Sequence, residues 1–391
     1  MRLYMTIDSR TDANHTGRTV FLYDNRMSEH TLSDTHPMKP VRLRYTRDLL
    51  DSYGAFDSDS SSVQGAREAT KSELEWFHTP DYVNGVEAIG SGRADVNPAA
   101  FNFGPGDNPH YPGIYEAAAL STGASVVAAE MLIAGEANAA FNIAGGLHHA
   151  MPDHAYGFCV FNDPVIAIHR FLQEGMKVAY VDIDCHHGDG VQHAFYATDR
   201  VLTISLHESG AFLFPGTGFV QETGTGIGRG YSVNVPLYPY TSDEVYLWAF
   251  RQTVPHLLDA FRPDVIVTQL GIDSHYRDPI THLALTVQGF AEAVSEFRKA
   301  SPGKWLALGG GGYDLQAVAR AWTMAYGVLS GQNFSNDIPS DYGAEHGVES
   351  LRDPDNLALD EQIIADSRTF AESSVQTVHR LIFPTHGIRG E

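Results

Sequence analysis

Residues 178–189 read VAYVDIDCHHGD, an apolar run that ends in a cluster of polar side chains. Side chains alternate faces along a strand, so the spacing predicts that Asp182, Asp184 and His186 project together from one side of a strand's end. Two carboxylates and an imidazole are costly to bury together unless a cation neutralises them. The same mixture is the ligand set of a first-row divalent metal. Taken alone, D-x-D-x-H also fits a strand running into a polar loop whose side chains hydrogen-bond one another, so the rest of the chain has to separate the two readings.

Working outward, β-rich or apolar runs predict strands over 3–7, 19–23, 139–144, 201–207, 264–271 and 305–308. Helical spacing of apolar residues covers 114–137, 165–173, 243–261, 287–299 and 315–329. Asn162-Asp163-Pro164 is a helix-start signal, and the prolines of 36–40 exclude a helix there. The Ser/Asp-rich stretch 52–63 reads as an exposed loop and 224–230, with alternating glycines, as a mobile or hairpin loop. From about 332 the chain is polar and loop-rich. Strands alternating with helices predict an α/β fold with a central, mostly parallel sheet covered on both faces, and ligands at the strands' carboxyl ends. His148-His149, Asp182 to Asp189, Asp273 and Gly309 to Tyr313 all fall at such ends. No internal repeat and no dividing linker is visible, so 1–391 reads as a single domain, with a motif-bearing core over about 15–330 and an extension over 332–391.

Asp plus Glu number 48 against 26 Lys plus Arg, only five of them lysines, for a net charge of −22. This argues against a nucleic-acid-binding surface and suits basic partners such as lysine-bearing tails or polyamines, or a salt-rich cytoplasm. Hydrophobic residues make up 43%, enough for a full core. Cys159 and Cys185 have no spacing that suggests a disulfide framework or a cysteine zinc site, which fits a reducing cytoplasm. The first residues lack a secretory pattern, and no uninterrupted apolar run approaches the ~18 residues of a membrane span. A cytoplasmic protein without a membrane partner is expected.

The pair His148-His149 follows two glycines, where backbone turns tightly and approaches a ligand closely. Adjacent histidines in such a turn are often structural, but a carboxylate for each ring would fix the tautomers and raise basicity. Asp182 and Asp189 are available for this. Asp273 ends a strand and reads either as a cap or turn residue or as a third metal ligand. With Asp184 and His186 it would leave a position open for water, the pattern of a catalytic site. The tetraglycine 309–312 lacks the Lys-Ser/Thr of a phosphate loop. It reads instead as a device that brings Tyr313 to the metal to donate to a developing oxyanion. No G-x-S-x-G elbow supports a serine hydrolase.

Together HPMKP (36–40), GGLHHA (145–150), YGFCVFND (156–163), DIDCHHGDGVQ (182–192), SLHESGAFLFPGTG (205–218) and LALGGGGYDL (306–315) resemble the zinc-dependent histone deacetylase family, most closely its prokaryotic acetoin-utilisation-type branch. The resemblance implies one three-layer arginase/deacetylase-like domain. It makes Asp184, His186 and Asp273 the ligands of Zn2+, with Fe2+ also tolerated. His148 and His149 would stand beside the water, paired to Asp182 and Asp189, and Tyr313 would face the carbonyl. Gly157, Phe158 and Phe214 would wall the tunnel for an acyl-lysine, Asp107 would hold the substrate backbone at the rim, and Arg42 would line the acetate exit. One structural K+ would sit on the backbone around Asp182, Asp184 and His186 with Ser205 and Leu206. A second would use the carbonyls of Phe195, Thr198, Val201 and Tyr231. Two positions depart from the family pattern: Tyr156, where a small residue is common, and Ile280, where the rim usually has Leu or Met. The activity implied is removal of acetyl or acyl groups from lysine side chains in proteins or peptides. Its alternatives are an acetylpolyamine amidohydrolase and an inactive acetyl-lysine-binding module.

Overall fold

A computed structural model of the protein describes residues 17–30, 32–354, 357 and 359–389, so the strand expected at 3–7 lies outside the described residues. Among the described residues eight strands form one sheet: β1 (Thr19–Leu22), β2 (Ser61–Gln64), β3 (Ala139–Asn142), β4 (Val178–Asp182), β5 (Val201–Glu208), β6 (Ser232–Leu237), β7 (Val265–Gln269) and β8 (Trp305–Leu308). Their order is β2-β1-β3-β8-β7-β4-β5-β6, and every pairing is parallel. A parallel sheet with both faces covered has no solvent side. That is why β4, β7 and β8 read as continuous apolar runs rather than alternating ones.

The helices are α1 (Arg26–Glu29), α2 (Val41–Ser52), α3 (Lys71–Leu74), α4 (Pro80–Gly90), α5 (Ile114–Ala134), α6 (Asp163–Gln173), α7 (Asp189–Phe195), α8 (Asp243–Phe261), α9 (Val287–Ala300), α10 (Leu315–Ser330), α11 (Ser340–His346) and α12 (Glu361–Leu381). They pack in two series, α4-α5-α6-α7 and α2-α10-α9-α8-α12, one over each face of the sheet. The Asn162 side chain caps α6 by accepting from the Val165 amide, with Pro164 in the first turn. Asp314 caps α10 through the amides of Gln316 and Ala317. Each cap satisfies amide donors that a helix start leaves free.

The structure corrects several expectations. The stretch 52–63 is not all loop: β2 begins at Ser61 and adds the sheet's outermost strand beside β1. Its sequence, SSVQ, carries one apolar residue, so neither a run nor an alternation announces it. The segment 224–230 contains a 3-10 turn, Gly226–Gly228, folded so tightly that a side chain at Gly224 would overlap the Gly228 carbonyl and one at Gly228 the backbone of 196–198. Beyond 332, α11 and α12 replace the expected loops, and α12 packs on β6 and α8. Asp353 anchors this region. Its buried carboxylate meets His275 at 2.8 Å, Arg320 at 2.7 Å and the Val287 amide at 2.8 Å. Finally, α5 is by length and composition apolar enough to cross a bilayer, with Ser, Thr and Gly breaking the run without lowering its mean hydropathy much. It is instead a core helix, packed between α4, α6 and β3.

Candidate active site

Strand β4 ends at Asp182, four residues short of the His186 that strand alternation would have to reach, and Asp184 and His186 stand on the loop beyond it. Their convergence is therefore a property of that loop. The Asp184 amide donates to Asp182 Oδ1 (3.1 Å), the Cys185 amide to Asp273 Oδ1 (2.7 Å) and the His186 amide to Asp184 Oδ1 (2.9 Å). From the neighbouring strand, the Gln269 side chain donates to Asp184 Oδ2 at 2.7 Å, as does the Gly311 amide at 2.8 Å. Asp273 follows β7, the strand beside β4, which brings it to the same place.

One donor atom from each of Asp184, His186 and Asp273 lies within 4.8 Å of the others, and all three residues are buried. His186 Nδ1 faces Asp273 Oδ2 at 2.9 Å and Asp184 Oδ1 at 3.1 Å. Burial alone would lower the His186 pKa, but the two carboxylates hold it well above the ordinary histidine value. Burial and the like charge of Asp184 push Asp273 up to about 6. Burial would raise Asp184 too, yet the charge of His148 and hydrogen bonds from His186 keep it well below the usual range. The pocket thus demands positive charge. Two carboxylate oxygens and an imidazole nitrogen, buried and aimed at one point, fit a divalent ion with an open coordination position.

His148 and His149 sit in the turn after β3. His148 Nδ1 meets Asp182 Oδ2 at 2.7 Å, His149 Nδ1 meets Asp189 Oδ1 at 2.6 Å, and the two Nε2 atoms are 3.0 Å apart. Burial works against charge on both rings, but the carboxylates of Asp182 and Asp184 raise His148 to about 9. Burial and the charge of His148 lower His149 to about 4 despite Asp189. His149 is therefore neutral near pH 7, with its proton on Nδ1 toward Asp189 and its Nε2 unprotonated, facing the Nε2 of His148 beside the cavity both rings line. That is a base's arrangement.

The turn itself is braced by residues the sequence reading passed over as a helix start. Asp163 accepts from the amides of Gly146 (3.1 Å) and Leu147 (2.9 Å), and Asn162 donates to the carbonyls of His148 (3.2 Å) and Ala150 (3.0 Å). The signal for them was a Pro-capped helix beginning on two side chains that can also bond a neighbouring loop. Gly146 has φ +85° and packs on the Gly309 carbonyl, so only glycine suits that position.

Tyr313 follows the tetraglycine, where a side chain on Gly311 would overlap the carboxylate of Asp273. Burial and the charges of Asp273 and Asp184 hold its phenol well above 10, so it remains a donor. With His148, His149, Asp184, His186 and Gly157 it lines a narrow cavity of about 230 Å³. Phe158 leans on Tyr313 (ring centroids 5.8 Å), while Phe214 leans on His149 (5.1 Å) and His186 (6.3 Å), so each phenylalanine packs on residues that line the cavity. Tyr156 packs against Phe214 at 4.9 Å and adds an aromatic to that wall.

Met38 and Leu147 separate this cavity from a second one of about 700 Å³, lined by Arg42, Phe158, Tyr111 and Asp107 among others. Arg42 donates to the carbonyls of Gly312 (2.8 Å) and Gly310 (2.7 Å), so it also holds the tetraglycine. Asp107 is exposed, and its carbonyl faces His36 Nε2 at 3.2 Å. Ile280 is half-buried on the loop after Asp273 and lines neither cavity. Of the residues expected around K+, Ser205 pairs with Asp182 in the β4–β5 register. Phe195, Thr198, Val201 and Tyr231 gather near the start of β5, where the Thr198 amide donates to Phe195 O (3.3 Å) and the Thr203 amide to Tyr231 O (2.9 Å).

Comparison with known proteins agrees with this geometry. Residues 36–329 match the histone deacetylase domain family. The chain is 39% identical over 332 residues to the acetoin utilization protein AcuC of Bacillus subtilis, covering 83% of this chain and 85% of that one. It is 37% identical to histone deacetylase clr6 of Schizosaccharomyces pombe, covering 84% and 81%. Among solved structures, a deacetylase homologue from Aquifex aeolicus superposes with a TM-score of 0.82 at 31% identity, covering 92% of this chain and all of that one. A deacetylase homologue complexed with SAHA gives 0.81 at 31% identity, covering 92% and 99%.

Proposed function

Since the chain belongs to the histone deacetylase family and is a deacetylase hydrolase, we propose that its substrate is the acetylated side-chain amine of lysine in a protein or peptide. The observation that carries this reading is the narrow cavity lined by Asp184, His186, His149, Gly157 and Tyr313, with Phe158 packed on Tyr313 and Phe214 on His149. It suits an unbranched apolar stem with an amide at its tip. The intact His149 and Tyr313 set aside an inactive binding module. Zn2+ is the ion proposed for the set, and its carboxylate–imidazole chemistry also accepts Fe2+. Structural K+ is proposed at the two sites around Asp182–Ser205 and the start of β5.

When bound, the divalent ion supplies Lewis acidity that polarises the substrate carbonyl and acidifies water. His149 takes the water's proton at Nε2 and returns it to the leaving amine, which would otherwise depart poorly. Asp189 fixes the His149 tautomer. His148, held charged by Asp182, lends positive potential to the tetrahedral oxyanion's surroundings, and the Tyr313 hydroxyl donates to it, a contact worth about 3–4 kcal/mol.

Asp107, exposed near the opening, would accept from the substrate's backbone amides, and bonds to an ionised acceptor are the stronger ones. A polyamine has no such amides. The charge of −22 would attract its cationic amines, but salt screens that attraction beyond ~8 Å. The test compares kcat/KM for an acetyl-lysine peptide and an acetylpolyamine, in the parent and in Asp107→Ala. The peptide is expected to be preferred and Asp107→Ala to weaken that preference. A tenfold preference for the polyamine, or no effect of Asp107→Ala on the peptide, would transfer the assignment to acetylpolyamine hydrolysis.

A further inference from the structure

The tetraglycine has no side chains with which to anchor itself, so the position of Tyr313 depends on what grips the backbone. Up to Gly312 the grip is supplied from elsewhere. The Gly309 amide donates to Asn142 O (2.9 Å), and the Ile272 amide donates to Gly311 O (2.9 Å). The Gly311 amide donates to Asp184, and Arg42 holds the carbonyls of Gly310 and Gly312. The Tyr313 amide itself is held by one group, the Asp278 carboxylate. Asp278 Oδ2 accepts from Tyr313 N at 2.9 Å, and Asp278 Oδ1 accepts from Ile280 N at 3.1 Å. Next to it, Arg277 pairs with Asp314 at 3.3 Å, a second tie between the same two segments. Asp278 stands five residues beyond Asp273, on the loop whose far side is pinned by His275 and Asp353. It touches no atom of the triad and lines neither cavity described above.

We propose that Asp278 is a positioning residue for the deacetylation step: its carboxylate fixes the Tyr313 backbone so that the phenol is already aimed when the oxyanion develops. This rests on the function proposed above, in which Tyr313 is the oxyanion donor. Pre-aimed donors act without reorganisation at the moment of reaction, whereas a misplacement of about 1 Å from a change remote from the chemistry can cost about a hundredfold. An asparagine at this position keeps an oxygen for the Tyr313 amide and gives up the second bond, to the Ile280 amide; an alanine keeps neither.

The experiment is a double-mutant cycle on the metal-loaded protein with an acetyl-lysine peptide. It uses Asp278→Ala and Asp278→Asn in the parent and in Tyr313→Phe, with metal content and Tm recorded for each variant. Asp278→Ala is expected to lower kcat by about ten- to a hundredfold with KM within about threefold. In the Tyr313→Phe background it should cost under about threefold, because the group it positions is gone. Asp278→Asn should recover most of the loss. Amide hydrogen exchange gives a readout independent of turnover: the peptide spanning 309–314 should exchange faster in Asp278→Ala and not in Asp278→Asn. Equal losses in both backgrounds, a Tyr313→Phe variant as fast as the parent, or unchanged exchange over 309–314 would each overturn the proposal. Should the acetyl-lysine peptide prove the poorer substrate, the substrate reading fails alone, and the same cycle on the acetylpolyamine decides the role of Asp278.

Discussion

Replacing Asp189 by asparagine separates the charge of the His149–Asp189 pair from its shape. The two side chains are 6% and 8% exposed and 2.6 Å apart, so water screens the pair little. Asp189 Oδ1 accepts both from His149 Nδ1 and from the Gly190 amide at 3.0 Å. An asparagine can present its oxygen there and satisfy both donors, or present its NH2 and leave the Gly190 amide facing a donor. The first orientation wins, because a buried unsatisfied donor costs about 1–3 kcal/mol. The tautomer is then kept and only charge is lost. A hydrogen bond to a charged group is worth about 1.5–3 kcal/mol, and about 1.4 kcal/mol is a factor of ten, so Asp189→Asn should lower kcat/KM by roughly 10- to 150-fold. The opposite orientation would move the proton to Nε2 and remove the base's lone pair, with a loss toward 10⁴, the size seen when a catalytic histidine takes the wrong tautomer. Asp189 also raises the basicity of His149, whose pKa burial and the charge of His148 lower to about 4 even with Asp189 present. The acid limb of kcat/KM must therefore move to lower pH in the variant. The assay is kcat/KM against pH on an acetyl-lysine peptide at matched metal content. A loss under threefold, or an acid limb displaced upward, would refute a base oriented by Asp189.

Tyr313→Phe should lower kcat by about a hundredfold or more with substrate affinity within a few-fold, since the hydroxyl acts on charge that develops in the transition state; single-turnover and binding measurements check both. Exhaustive chelation should abolish activity and about one Zn2+ or Fe2+ per chain should restore it, by metal analysis and activity titration. Full activity after chelation would contradict the Asp184–His186–Asp273 assignment. Asp353→Ala should destabilise the fold by about 3–5 kcal/mol in denaturant unfolding, as removal of one partner from a buried ion pair does. Burial alone would raise the Asp353 carboxyl, but His275, the Val287 amide and Arg320 hold it well below the carboxylate range. A lowered pKa gives stability that is present above the unfolded value near 4 and lost as pH falls below it. The gap between parent and Asp353→Asn should accordingly narrow on acidification below about pH 4.

What could be read before the structure follows from how each part is stabilised. Strands β4, β7 and β8 are covered on both faces, and burial writes itself as unbroken apolar runs; α8 and α9 carry their stripe in their own spacing. Strand β2 is held by backbone pairing to β1 and by Ser61, buried with its hydroxyl on Ala55 O and Tyr326, and such bonds leave no hydrophobic mark. In α12, Ala371, Val375 and Val378 face the core amid mostly polar residues, a stripe diluted below notice. At the site, residues whose side chains face the cavity were legible because their types are chemically unusual together. Those that hold backbone in place, Asn162, Asp163, Gln269 and Asp278, were not. Asp278-Pro279 reads as an ordinary turn, and only the three-dimensional path of residue 313 shows what the turn is gripping.

Helix α12 also changes what counts as the unit that folds. The matched family region stops at 329, yet β6, last in the sheet, gives its Pro236 carbonyl to the Ser374 hydroxyl of α12 at 2.8 Å, and the Gly230 carbonyl just before β6 faces His386 Nε2 at 2.8 Å. A polypeptide ended at Leu329 would keep every residue of the deacetylase chemistry and still strip this cover from its border strand. The bared row of amides and carbonyls would then be a template on which copies of the chain zip together. Cutting the chain at Leu329 is therefore expected to cost solubility before it costs chemistry, which light scattering on the shortened protein would check.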